Sequence, residues 1–177
     1  MMRLSKLWKL DILIGLASVV AMSAVACAGV QTPTPKVAQT LIVDANTVVG
    51  SEGVKSPQDI CVGSSRFREG QTVVWQIKVY DPATGKTMDN KAMNSVVVHL
   101  KDGQTFKAQY GPHPAAPPGQ PQPPATDFFW TTSWNIPMSY PTGSAPFTVT
   151  ARSKDGRTGT FSEFNVAPAL LTVVAAQ

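Results

Sequence analysis

Residues 72–80 run Thr72-Val73-Val74-Trp75-Gln76-Ile77-Lys78-Val79-Tyr80. Val73, Trp75, Ile77 and Val79 fall in one alternating set, and Gln76 and Lys78 fall in the other. Successive side chains of a strand point to opposite faces, so a period of two predicts an extended segment with one face on a core.

The same period recurs in both directions. Asp81-Pro82-Ala83-Thr84-Gly85-Lys86 is a turn, with Pro fixing φ early and Gly free to take positive φ late. Ser95 to Lys101 resumes with Val96, Val98 and Leu100 on one face. Asp102-Gly103 is a hairpin signal, and Thr105 to Tyr110 is expected as the returning strand. Phe128, Trp130, Thr132 and Trp134 alternate with Phe129, Thr131, Ser133 and Asn135. Phe147, Val149 and Ala151 alternate in the next strand, and Lys154-Asp155-Gly156-Arg157 is a tight turn. Thr158 to Val166 is expected as a strand bulged between Phe161 and Phe164, and Leu170 to Val174 as the last strand. Asp59-Ile60-Cys61-Val62 predicts a short strand that buries Cys61 as a small hydrophobe. Met88 to Asn94 has room for one helical turn. Short strands punctuated by turns predict an all-β chain: one antiparallel sandwich of about seven strands over residues 58–177.

Seven of the fifteen prolines (Pro112, Pro114, Pro117, Pro118, Pro121, Pro123, Pro124) lie in Gly111 to Thr126. Proline lacks the N–H that a sheet ladder uses, so 111–126 is expected to be a loop between strands. Such a loop is either an inert spacer or a polyproline ligand.

Ile136 to Val166 resembles the C-terminal half of bacterial Ig-like and macroglobulin-like domains. It has a Pro141-Thr142-Gly143 turn, a Phe147-Thr148-Val149-Thr150-Ala151 strand, an Asp155-Gly156 turn and a closing strand. Val79 to Gly103 is similar to their front hairpins. The resemblance covers roughly residues 70–168. It implies an Ig-like sandwich and is nearly silent on function, because that fold hosts many activities. The Pro-rich loop departs from the family pattern.

The N-terminus is built differently. Arg3, Lys6 and Lys9 precede an apolar run from Ile12 to Val25, then the small residues Ala24-Val25-Ala26. This is the layout of a secretory signal over residues 1–26, with Asp11 an unusual charge at its edge. Ala24-Val25-Ala26-Cys27 resembles the bacterial lipobox, although Leu is commoner where Ala24 stands. The resemblance implies cleavage before Cys27 and lipid on its sulfur, and two or three acyl chains anchor stably where one does not. Cleavage by an ordinary signal peptidase, giving a soluble secreted protein, and an uncleaved anchor helix remain as alternatives. Residues 27–57, with Gln31-Thr32-Pro33-Thr34-Pro35-Lys36, are expected to form a tether. A lipidated Cys27 leaves Cys61 without an intrachain disulfide partner.

The chain has 15 Lys and Arg against 11 Asp and Glu, a formal net charge of +4. Half of that excess is in residues 1–26, where Arg3, Lys6 and Lys9 stand against Asp11. The remainder is nearly neutral and holds no basic run, so the charge does not point to nucleic acid. No nucleophile elbow, phosphate loop or His-Glu-x-x-His motif occurs, so no enzyme and no small-molecule substrate are expected. Cys61, His99, His113 and Met138 are, as types, the ligands of a blue-copper site. In cupredoxins the Cys, the second His and the Met share one loop, whereas here Cys61 lies far ahead of Met138. Asp81, Asp102 and Asp155 sit in turns that favour Asp for backbone reasons, which weakens a calcium reading.

The aromatic residues are the binding candidates. Trp130 and Trp134 share a strand face, about 13 Å apart by strand rise, and with Phe128 they read as core. Phe129 then points outward. Tyr110, His113, Phe129 and Tyr140 are the expected partner-binding residues. The expectation is a non-enzymatic cell-envelope binding or structural module. It is extracytoplasmic, held at a membrane by lipid on Cys27, needs no cofactor and docks to another envelope protein. A periplasmic copper-binding protein is the alternative.

Overall fold

The computed structural model describes residues 40–52, 61–113, 121, 124–166 and 169–176. All belong to the compact unit Val37–Gln177. Residues 1–26, expected to be a signal sequence, Cys27, and Pro33 and Pro35 of the expected tether lie outside the described residues.

The chain is all-β. Its eleven strands among the described residues are β1 Ile42–Val49, β2 Arg66–Arg68, β3 Thr72–Tyr80, β4 Met93–Leu100, β5 Thr105–Lys107, β6 Gln109–His113, β7 Asp127–Asn135, β8 Gly143–Ser144, β9 Phe147–Ser153, β10 Thr158–Ser162 and β11 Thr172–Val174. Eight of them form two antiparallel four-stranded sheets, ordered β1-β3-β7-β6 and β10-β9-β4-β5. Their inner faces meet in one core containing Val73, Trp75, Ile77 and Val79 from one sheet and Val96, Val98, Val149 and Ala151 from the other. The alternation in 72–80 is thus the alternation between this core and the outside. Trp75 is fully buried at the centre, with ring centroids of Phe106 and Phe147 at 5.6 Å and of Trp134 at 6.5 Å.

β2, β11 and β8 form a third, small sheet, in which β11 pairs parallel with β2 and antiparallel with β8. It sits where β3 and β9 begin, and buries Leu171 and Val173 completely. The Glu163 carboxylate ties it to the sandwich by accepting the backbone N–H of Phe147 (2.9 Å) and of Leu171 (2.7 Å). Burial pushes the Glu163 carboxyl above its ordinary value of 4.5, against the two N–H donors, which pull it down. The folded state therefore holds this proton more tightly than the unfolded chain, and stability falls as pH rises from 4.5 through the raised value. Glu163→Ala is expected to abolish that slope and to cost about 1–3 kcal/mol by orphaning two amides. Urea denaturation between pH 4 and 7 reads both effects, and an unchanged slope would contradict them.

Several expectations are corrected. The sandwich does not start at residue 58: β1 lies within the segment expected to be tether and pairs along its length with β3. Its own alternation is real, with Leu41 and Ala45 buried and Ile42, Asp44 and Asn46 exposed. The returning strand after Asp102-Gly103 divides. β5 pairs with β4, the chain crosses at the buried Ala108, and β6 joins β7 in the other sheet. β6 also runs through Pro112 to His113, so strand enters the stretch expected to be loop. Proline is tolerated there because β6 is an edge strand. β10 ends at Ser162 with regular pairing to β9 instead of bulging, and Phe164 is 77% exposed. Cys61 is exposed, at φ 63, and not a buried thiol. Asp89 closes the expected single turn by accepting the Met93 N–H.

Candidate functional site

β6 and β7 form a hairpin-like pair at the edge of their sheet. β3 runs on to Tyr80, but its pairing with β7 ends at Ile77↔Trp130, so Asp127, Phe128 and Phe129 are paired with β6 alone. Alternation places Trp130 and Trp134 in the core, as the pattern in 128–134 predicts, at 6% and 4% exposure. Phe128 shares their face but is 47% exposed, which corrects its expected burial. β3 continues to Tyr80 but is no longer paired with β7 at this level, and Phe128 is paired with Pro112 of the edge strand alone. Its companion is Tyr110, with ring centroids at 6.2 Å, and Tyr110 in turn lies 5.3 Å from Trp130. Burial raises the Tyr110 phenol above its ordinary range. The Trp130 indole N–H is anchored by the Met88 carbonyl at 3.0 Å, which fixes the inner end of this aromatic row.

The opposite face of the hairpin is polar and aromatic together. His113 stacks on Phe129 at 3.7 Å between ring centroids and 11° between planes. Lys78 reaches over Phe129, 5.9 Å from its centroid, and pairs with Asp127. The Lys78 hydrogen bond holds the Asp127 carboxyl below the usual range, and the Asp127 partner raises Lys78. Burial lowers the His113 imidazole, and its Nε2 has no hydrogen-bond partner among the described residues. A flat ring stack flanked by a fixed ion pair is a rigid surface with donors, acceptors and apolar area in one place.

Three of the four expected contact residues, Tyr110, His113 and Phe129, are therefore brought together on one hairpin, on both of its faces. Tyr140 is elsewhere, in the loop between β7 and β8. It packs edge-on against Trp134 at 4.7 Å and donates its hydroxyl to Asp102 at 2.9 Å. Burial, then that bond, pushes its phenol up to about 12. Phe128 and Lys78 complete the hairpin surface. Alternation assigns them faces but does not reveal where pairing between β3 and β7 ends.

His99 lies on β4 of the other sheet with Nε2 2.8 Å from Thr150 Oγ1, and Met138 is exposed in the loop after β7. No group of three His, Cys, Asp or Glu able to hold a metal occurs among the described residues. The turn aspartates serve the backbone: Asp81 accepts the Ala83 N–H, Asp102 that of Gln104 and Asp155 that of Arg157. Arg157 pairs with both Asp81 and Asp155. No helix among the described residues is long and apolar enough to cross a membrane.

No family model matches the chain, and no curated protein matches it in sequence.

Proposed function

We propose that this chain is a non-enzymatic module of the cell envelope: an Ig-like domain, held at a membrane by lipid on Cys27, that docks to another envelope protein through the β6–β7 hairpin. The Ig-like reading is supported by strand order. β1-β3-β7-β6 facing β10-β9-β4-β5 follows the A-B-E-D and G-F-C arrangement of that fold, with β5 as an added edge strand. The extracytoplasmic, lipid-anchored reading rests on the leader and the Ala24-Val25-Ala26-Cys27 sequence.

The observation that carries the docking role is exposed Phe128 stacked on half-buried Tyr110, back to back with the His113–Phe129 stack, on an edge hairpin. Large aromatics with a polar rim are typical anchors of protein interfaces. Membranes of cells making the full chain should yield Cys27 acylated at its sulfur and at the new amine by mass spectrometry. Phe128→Ser is expected to weaken capture of the partner from those membranes by at least about tenfold, with the fold retained because Phe128 is half-exposed. An unmodified N-terminus removes the anchor, and undiminished capture by Phe128→Ser removes the hairpin from the interface.

A further inference from the structure

The two sheets do not close against each other along one side. β1 and β10 are edge strands of different sheets. They meet at one end, where the Leu41 N–H donates to the Thr158 carbonyl at 2.9 Å and Gly159 packs against Leu41 and Val43. No other backbone bond joins them among the described residues. Past that point lies a groove of about 520 Å³. Buried Ala45 and Phe147 and half-buried Phe161 line it, together with Asp44, Glu163 and Phe164, which is 77% exposed. Its other end is closed by the Val48↔Gly63 bridge and by the Ser64 N–H, which donates to the Thr47 carbonyl at 3.1 Å. Leu41, Thr47 and Val49 turn their backbone groups away from β3, toward Thr158, Ser64 and Val62. Val43 and Ala45 are in the same phase between them, and neither makes a backbone bond outside its own sheet among the described residues.

We propose that this groove accepts a short extended segment of a partner protein, laid beside β1 as an added strand, with apolar side chains at alternate positions and a Lys or Arg near Asp44. The backbone gives the class of ligand. Val43 and Ala45 offer N–H and C=O groups two residues apart along an edge, which an extended chain matches and a helix, with its own groups paired, does not. The closures give the length: β1 is open over residues 42–46, about 17 Å at strand rise. The floor gives the pattern, because every second side chain of such a strand would point down onto Ala45, Phe147 and Phe161, and the others toward water. Charge gives the flanks. Asp44 and Glu163 line the groove, and no Lys or Arg does among the described residues. The same charges disfavour a second copy of this chain, which would bring its own Asp44 and Glu163 to the seam. β1 is the edge opposite β6 in the sheet, so this site is separate from the hairpin.

The test uses the full chain and, as probe, the capped synthetic peptide Lys-Val-Thr-Val-Thr-Val-Lys. Binding is expected, with slowed amide exchange at Val43 and Ala45 as their N–H groups gain acceptors. Two further peptides carry N-methyl groups on the valines or on the threonines. At least one of them should bind at least about tenfold more weakly, because a methylated amide cannot donate to a strand edge. Phe164→Ser should weaken binding by a similar factor, and its exposure leaves the fold intact, as near-ultraviolet circular dichroism would confirm. Asp44→Lys should weaken it too. Four outcomes overturn the proposal: no binding, protection elsewhere than at Val43 and Ala45, equal binding of all three peptides (apolar adhesion without strand pairing), or a dimer in sedimentation that Phe164→Ser dissolves (a second copy as the occupant). None of them bears on capture of a partner through Phe128.

Discussion

Replacing Trp75 with alanine is expected to cost about 3–5 kcal/mol, a large share of what a domain of this size possesses. Trp75 is fully buried and touches aromatic rings from β5, β7 and β9, so both sheets lose a contact at once. No rearrangement of one strand fills the space, because its neighbours belong to different elements. Trp75→Phe separates shape from chemistry. The indole N–H has no acceptor among the described residues, so phenylalanine forfeits volume but no hydrogen bond, and should cost only about 1–2 kcal/mol. Urea midpoints at unchanged slope measure both. A loss below about 1 kcal/mol for Trp75→Ala would mean that this indole is not the centre of the core.

Gly159→Val is expected to be nearly as damaging, for the opposite reason. Gly159 faces the interior of β10, where β1 enters the sandwich. A Cβ there would lie 2.4 Å from the Leu41 carbonyl oxygen, 2.8 Å from Leu41 Cβ and 2.9 Å from Val43 Cγ2. The backbone cannot retreat without breaking the 2.9 Å bond from the Leu41 N–H to the Thr158 carbonyl. Overpacking of this kind costs about 1–3 kcal/mol or more, and it should appear as separation of β1 from β10, with faster amide exchange at Leu41. Gly63→Ala is the matched control. A Cβ at Gly63 meets nothing within 4 Å, so its stability should stay within about 0.5 kcal/mol of the parent. Equal effects at the two glycines would contradict the close approach.

Much of this was legible in the sequence, because the core is built by strict alternation. Val73 to Val79, Trp130 with Trp134 and Phe147 to Ala151 all face where a period of two puts them. What was hidden depends on neighbours distant in the chain. Residues 105–113 alternate without a break, and nothing local marks Ala108 as the point where the chain changes sheets. Burial in β1 is less regular, since Val48 and Val49 are both buried, and the strand follows a proline-containing segment that suggests a tether. Alternation gives the face of Phe128 but not its exposure, since that depends on where pairing with β3, a strand about fifty residues earlier, is lost. The hairpin residues were individually visible. Their convergence on one edge hairpin required the register.

The arrangement of the first and last strands bears on how the domain would carry load. The chain enters at Leu41, beside the Tyr80 end of β3, and β11 lies at the Thr72 end, where the Glu69 N–H donates to the Val174 carbonyl. Tension between these points would run parallel to the strands. The pairs from Ile42↔Tyr80 to Val49↔Val73 would then be strained together in shear and not unzipped one by one, a geometry that resists mechanical unfolding from that end.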